Sequence, residues 1–116
     1  MKIIDIVDTL PAHVVYGAPG FQDLETGKIV AGDLMSDILV SVETDVLLVT
    51  SLATEQTVRS ADLIGAAVIL LVNDKLPLPS MKIIAEECGI TILATPMPMF
   101  EACATLAYLE QNEKNR

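Results

Sequence analysis

One stretch decides the fold: Ile29-Val30-Ala31-Gly32-Asp33-Leu34-Met35-Ser36-Asp37-Ile38-Leu39. Its first two residues are β-branched and a turn follows at Gly32-Asp33, which together predict a short buried strand. Ser36 or Asp37 then predicts the start of a helix, because these side chains accept hydrogen bonds from the free N–H groups of a first helical turn. The stretch therefore predicts one strand–turn–helix unit.

The same unit recurs three times further along the chain. Continuous apolar runs at 45–50, 66–72 and 90–94 predict strands that are covered on both faces, and each run is followed by apolar residues at helical spacing. A helix at 2–9 and a strand at 13–16 come first. Such alternation predicts an α/β fold, a three-layer α/β/α sandwich around a mostly parallel sheet of about five strands. We expect residues 1–116 to form one domain.

Single residues indicate where the later helices begin and end. Thr54 and Ser80 are predicted to cap helix starts, and Gly65 and Gly89 are placed where helices end. The last helix is predicted from about Met99 to Leu109, and a polar, frayed tail is predicted after it.

Charge and hydropathy exclude several classes of partner. The formal charge is −9, with seven scattered basic residues, which argues against nucleic acid and anionic membrane surfaces. The longest apolar run, Leu63 to Val72, is too short for a membrane span, which needs about 20 residues. The N-terminus lacks the long apolar region of a signal peptide. We therefore expect a cytoplasmic protein without a membrane or nucleic-acid partner.

Small polar residues stand at the predicted carboxyl ends of the strands, where open parallel sheets bind ligands. Helix N-termini there supply N–H donors that suit anions. We predict that a small anionic or nucleotide-like ligand binds at this edge. The alternative is that the same residues serve only as turn and cap residues. The candidate residues are Gly32, Asp33, Ser36, Asp37, Thr50, Ser51, Asn73 and Thr95.

Catalytic signatures are missing from the sequence. There is no phosphate-binding P-loop, no glycine-rich dinucleotide fingerprint and no nucleophile elbow, so we predict no catalytic residues and name no cofactor. The single histidine, His13, has no evident orienting partner, and Cys88 and Cys103 have no basic neighbour in sequence. Asp33 and Asp37 could hold Mg²⁺, but a hard cation needs more oxygen ligands than this pair guarantees, and we predict no metal site.

The last predicted helix is almost without a polar face. A helix that is apolar all round is buried on more than one side. A second copy of the chain could cover it, or it could lie at the centre of the monomer. We favour a homodimer, since symmetric dimers are the commonest oligomers. The predicted interface residues are Met99, Phe100, Cys103 and Leu106.

The run from Val30 to Leu39 resembles the signature of DRTGG domains. Further segments match in order, and the resemblance covers a core of residues 25–109 within a single DRTGG-like domain of residues 1–116. The pentapeptide that names the family is not intact, and Glu25-Thr26-Gly27-Lys28 stands near its place. The matching segments are 45–50, 66–72, 89–93 and 95–101.

The resemblance implies a function class. DRTGG domains accompany CBS domains in some pyrophosphatases and resemble the N-terminal domain of HPr kinase/phosphorylase, which lacks the kinase active site. The resemblance therefore implies a non-catalytic regulatory or assembly module. An alternative is an accessory interaction protein that docks on a larger enzyme, such as an iron hydrogenase or a kinase. A small phosphotransferase is a third hypothesis, which the missing phosphate cradle disfavours.

Overall fold

A sheet with five described strands forms the centre of the protein. The computed structural model describes residues 1–33 and 45–115. Across the sheet the strands stand in the order β1-β5-β4-β3-β2; β1 is antiparallel to β5, and the other pairs are parallel. The predicted mostly parallel sheet is thereby confirmed. The strands are β1 His13–Tyr16, β2 Ile29–Ala31, β3 Val46–Thr50, β4 Ala66–Leu71 and β5 Thr91–Ala94.

Helices cover both faces of the sheet in the described ranges. The side chains of α1 and α4 share one apolar cluster with one sheet face, and those of α2 and α3 share a second cluster with the other face. This arrangement is the predicted α/β/α sandwich. The α-helices are α1 Ile3–Thr9, α2 Glu55–Ile64, α3 Pro79–Cys88 and α4 Met99–Lys114, and Phe21–Asp23 is a short 3₁₀ helix.

Strand β3 shows why continuous apolar runs were the right signal. Successive side chains of a strand point to opposite faces. Val46 and Leu48 pack into the cluster under α2 and α3, whereas Leu47 and Val49 pack into the cluster under α1 and α4. Every residue of β3 is buried, as expected for a strand with helices on both sides.

Several predicted helix ends are confirmed. The Thr54 hydroxyl accepts a hydrogen bond from the Thr57 N–H and caps α2. Gly65 and Gly89 follow α2 and α3 with φ of 79° and 69°, in the left-handed region that a residue with a β-carbon enters only with strain.

Two predicted helix limits are wrong. Helix α3 begins at Pro79 after Leu78, with no side-chain cap, so Ser80 lies inside the helix. Proline suits a first helical position because the N–H that it lacks would be unpaired there. Helix α4 continues to Lys114, well beyond Leu109, and four of the five added residues are glutamate, glutamine or lysine, which have high helix propensity. The predicted helix start at Ser36 or Asp37 lies outside the described residues.

The two ends of the described chain lie side by side. The Met1 ammonium group is 3.0 Å from a carboxylate oxygen of Glu113 near the end of α4, and 4.0 Å from one of Glu25. A backbone bridge between Lys2 and Glu25 holds the start of the chain beside the segment that leads into β2. Within 1–33 and 45–115, no helix is long and apolar enough to cross a membrane.

Candidate functional site at the carboxyl edge of the sheet

The exits of β2 and β3 are joined through the Asp33 carboxylate. One of its oxygens accepts hydrogen bonds from the Thr50 hydroxyl at 2.9 Å and from the Ser51 N–H at 2.7 Å. The other oxygen accepts a hydrogen bond from the Ser51 hydroxyl. Because β2 and β3 are parallel neighbours, their carboxyl ends meet at one edge, and three of the predicted ligand residues contact one another there.

This environment favours the ionised form of Asp33. Desolvation by itself would raise the pKa of the carboxyl group. The hydrogen bonds from Ser51 and Thr50, together with the positive charge of Lys75, outweigh desolvation and hold the pKa of Asp33 below its ordinary value. Asp33 is thus a fixed, exposed negative charge at neutral pH.

The Asp33 carboxylate already accepts hydrogen bonds from the N–H and O–H groups that an anionic ligand would need. A phosphate placed against the Ser51 N–H would share that donor with an ionised carboxylate, and like charges at such a distance repel. The oxygen of Asp33 that accepts only the Ser51 hydroxyl can still accept a hydrogen bond from a ligand hydroxyl or amine. This part of the edge therefore suits a hydrogen-bond donor better than an anion.

The exits of β4 and β5 form a second polar group. The Asn73 side-chain oxygen accepts a hydrogen bond from the Met99 N–H at 3.3 Å, at the start of α4, where no residue of the helix supplies a side-chain cap. The buried Thr95 hydroxyl donates to the Leu10 carbonyl at 2.7 Å and accepts the Met97 N–H at 3.3 Å. Asn73 and Thr95 thus fix the start of α4 and the end of α1.

The two groups belong to one continuous edge. The Val72 N–H donates to the Thr50 carbonyl at 3.0 Å, so the exits of β3 and β4 are adjacent. Asn73 and Asp74 then turn the chain with φ of 61° and 58°. Asparagine and aspartate tolerate this left-handed conformation better than most residues, which explains their use at this turn.

Lys75 is a site residue that sequence reasoning did not name. Its charge helps to lower the pKa of Asp33, although the two residues are far apart in sequence. The available signal was a basic residue two positions after Asn73, because Asn73 was already placed at the carboxyl edge. Lys75 is exposed and brings a positive charge to an acidic protein.

The remaining predicted ligand residues are Gly32, Ser36 and Asp37. The Gly32 N–H donates to the Val49 carbonyl at 2.9 Å, so it extends the pairing of β2 with β3. Ser36 and Asp37 lie outside the described residues.

The predicted interface residues of α4 occupy different environments. Leu106 is fully buried against the sheet, and Met99 and Cys103 are partly buried in the same cluster. Phe100 points the other way and is 82% exposed. Of the four, Phe100 is the one whose side chain lies mainly outside the monomer core.

The two thiols are not activated by their surroundings. Desolvation raises the pKa of Cys103, and desolvation together with the negative charge of Asp62 raises the pKa of Cys88. Both groups stay protonated at neutral pH, whereas a reactive cysteine needs a thiolate.

The described residues also form a shallow hollow at the opposite edge of the sheet. It measures about 250 Å³ and lies where the chain enters β2 and where α4 ends. Two glutamates line it together with two positive groups, the Met1 ammonium group and Lys114, so its charges balance. The lining residues are Met1, Thr26, Gly27, Glu110, Glu113 and Lys114.

Comparison with solved structures finds a likeness in fold. No family model and no curated protein matches the chain. The fold is similar to the crystal structure of the CBS and DRTGG domains of the regulatory region of Clostridium perfringens pyrophosphatase complexed with its activator, diadenosine tetraphosphate. The TM-score is 0.74 at 16% identity, over 90% of this chain and 45% of that chain. This chain thus spans about half the length of that one. The likeness supports a DRTGG-like domain at the level of fold.

Proposed function

We propose that this protein is a non-catalytic regulatory module that senses a small nucleotide-like ligand at the carboxyl edge of its sheet. We assign residues 1–116 to a single DRTGG-like domain with its core at 25–109, and we propose that it acts in the cytoplasm. The observation that carries the proposal is the group formed by Asp33, Thr50 and Ser51, where a charged side chain and polar groups from two strand exits converge.

The fold likeness supports a regulatory role. The similar structure belongs to a regulatory region and holds a nucleotide activator. A module of this kind needs a ligand site and a way to transmit binding, and it needs no nucleophile or general base. The protonated thiols of Cys88 and Cys103 agree with such a role.

The geometry also indicates how a nucleotide-like ligand would lie. Its sugar hydroxyls or base amine would donate to Asp33, whose free acceptor capacity faces the exposed edge. Its phosphates would lie on the side of Lys75, away from the Asp33 carboxylate. The ligand would thereby span the exits of β2, β3 and β4.

A thermal-shift screen of nucleosides, nucleotides and inorganic phosphate tests this function. A ligand at about 100 times its dissociation constant adds about 2.7 kcal/mol to the free energy of unfolding. We expect nucleosides and nucleotides to raise the melting temperature and inorganic phosphate alone to have a smaller effect. In the Asp33→Ala variant the shift should disappear, while Asp23→Ala, an exposed aspartate of the 3₁₀ helix, should keep it. No shift with any compound in the wild-type protein would refute ligand sensing.

We further propose that the module acts as a homodimer. The exposed Phe100 and Tyr108 of α4 support this, since they leave aromatic surface uncovered in the monomer.

A second candidate function is docking on a larger enzyme, such as an iron hydrogenase or a kinase. Leu76 and Leu78 favour it, because they are 79% and 61% exposed in the loop between β4 and α3, beside the candidate site. We expect a purified partner enzyme to bind the wild-type chain and to lose binding when both leucines are changed to serine. Equal binding by the double variant and the wild type would remove this candidate.

A further inference from the structure

The outer face of α4 carries an apolar stripe that the monomer leaves uncovered. At about 3.6 residues per turn, Phe100, Ala104, Ala107 and Tyr108 lie on one side of the helix. All four are exposed, with Phe100 at 82% and Tyr108 at 67%. The buried residues Ala102 and Leu106 lie on the opposite side, against the sheet.

The stripe has a symmetric pattern along the helix. Ala104 lies four residues from Phe100 and four residues from Tyr108, so a small side chain stands midway between two aromatic ones. At about 1.5 Å per residue, each aromatic residue is about 6 Å from Ala104 along the axis. A two-fold axis through Ala104 therefore makes the stripe complementary to itself.

We propose that two copies of this chain associate through antiparallel α4 helices that cross at Ala104. In this arrangement Ala104 meets Ala104 of the second copy, and Phe100 meets Tyr108 of the second copy at both ends. The small residues let the helix axes approach at the lower end of the usual separation of about 8–10 Å. The aromatic pairs then close the two sides of the crossing with edge-to-face or offset contacts.

Charge supports a second copy in this register. The chain carries a formal charge of −9, so most contacts between two copies would bring carboxylates together. Here the exposed Glu101 lies opposite Ala107 of the second copy, whereas helical spacing places Glu110 and Glu113 away from the stripe. The register thus brings no two carboxylates of α4 together across the interface.

The arrangement differs from the interface predicted from sequence. Leu106 is fully buried in the monomer and Cys103 is partly buried, so neither belongs to the proposed interface. Ala104, Ala107 and Tyr108 lie on the outer face and belong to it instead. The inference deepens the homodimer proposed above by naming its surface and symmetry. It does not depend on the ligand, so a failed ligand screen and a failed association test are separate outcomes.

Light scattering coupled to size exclusion tests the association. We expect a dimer for the wild type, and we expect Phe100→Asp or Tyr108→Glu to raise the dissociation constant at least about tenfold. The matched control is Leu63→Glu, which places a charge at a leucine that is 73% exposed on α2, and it should remain dimeric. Circular dichroism melting verifies that each variant is folded. A monomeric wild type, or a dimer that only the control disrupts, would overturn the proposal.

Cross-linking at the axis tests the register. In a background with Cys88→Ser and Cys103→Ala, the change Ala104→Cys should give a covalent dimer under mild oxidation, because Cα atoms that meet at a close crossing are within disulfide reach of about 4.4–6.8 Å. The control, Leu63→Cys in the same background, should stay uncross-linked. Cross-linking of the control but not of the Ala104 variant would refute the antiparallel register.

Discussion

The Thr95 side chain joins the sheet to the helix layer that contains α1 through hydrogen bonds. Its hydroxyl donates to the Leu10 carbonyl at the end of α1 and accepts the N–H of Met97, two residues ahead. The residue is 1% exposed, so water has almost no access to its hydroxyl. The same position was predicted as a ligand residue because threonine at a strand exit fits both roles, and sequence offers no sign of a partner 85 residues away.

Replacing this hydroxyl should be costly. Thr95→Val keeps the shape of the side chain but leaves the buried Leu10 carbonyl without its donor. We expect a loss of about 1–3 kcal/mol in the free energy of unfolding, measured by urea denaturation. Thr105→Val, which removes an exposed hydroxyl bonded within α4, is the control and should change stability by less than about 0.5 kcal/mol. Equal losses in the two variants would contradict this role for Thr95.

Asp33 should make stability depend on pH in the acid range. Its pKa is depressed in the folded protein, so its hydrogen bonds contribute stability above the unfolded-state pKa, which is about 3.9. This contribution is lost as the pH falls through the lower, folded-state pKa. We expect Asp33→Asn to be less stable than the wild type at neutral pH, and the difference to shrink under strong acid. Chemical denaturation across this pH range provides the measurement, with Asp23→Asn as the control.

At the scale of the element, α4 shows what periodicity can and cannot predict. Its lack of a polar face is visible in the sequence, and the structure places apolar residues on both its inner and its outer side. The sequence does not determine which residues face the sheet, because that depends on the direction in which the chain leaves β5 and enters α4. Leu106 and Phe100 therefore looked equivalent before the fold was known.

Truncating a side chain on the inner face of α4 should lower the stability of the monomer far more than truncating one on the outer face. Leu106→Ala removes a side chain that is fully buried under the sheet, and we expect it to lower the unfolding free energy of the monomer by about 2–5 kcal/mol. Phe100→Ala removes an 82% exposed ring, and we expect little change. Denaturant melts at low protein concentration compare the two. A similar loss in both variants would mean that the inner and outer faces are wrongly assigned.

Helix caps that come from residues next to the helix in sequence were predicted, whereas a cap that comes from a distant residue was not. Thr54, Gly65 and Gly89 were predicted correctly, because a hydroxyl cap and a left-handed residue act within one turn of the helix. The start of α4 depends on Asn73, which comes from the neighbouring strand exit. A cap supplied across the fold leaves no local pattern, and Asn73 was accordingly read as a ligand candidate or a turn residue and not as the cap of α4.

At the scale of the whole molecule, alternation alone predicted the layers and the parallel strands. The candidate site was predicted less completely. Its location followed from the strand exits, but the pairing of Asp33 with Ser51 depends on the adjacency of β2 and β3. The part played by Lys75 also depends on the packing of strands that are distant in sequence.

The sheet order predicts how stability is distributed. Strands β3, β4 and β5 are paired on both sides, whereas β2 is a three-residue strand that, among the described residues, pairs with β3 alone. We expect amide hydrogens of Leu48 and Leu70 to exchange most slowly, through global unfolding, and those of Ile29–Ala31 to exchange fastest among the strands. Native-state hydrogen exchange by NMR checks this order. Equal protection of β2 and β3 would show that the edge strand opens only with the core.

The ion pair between the Met1 ammonium group and Glu113 has a practical consequence. Because the start of the chain lies beside the last turn of α4, a short glycine–serine linker can join Lys114 to Met1 without crossing the molecule. New termini can then be opened at the exposed turn after Asp74. Such a circular permutant would leave both aromatic ends of the α4 stripe in place, and it would move the cut to the proposed ligand edge.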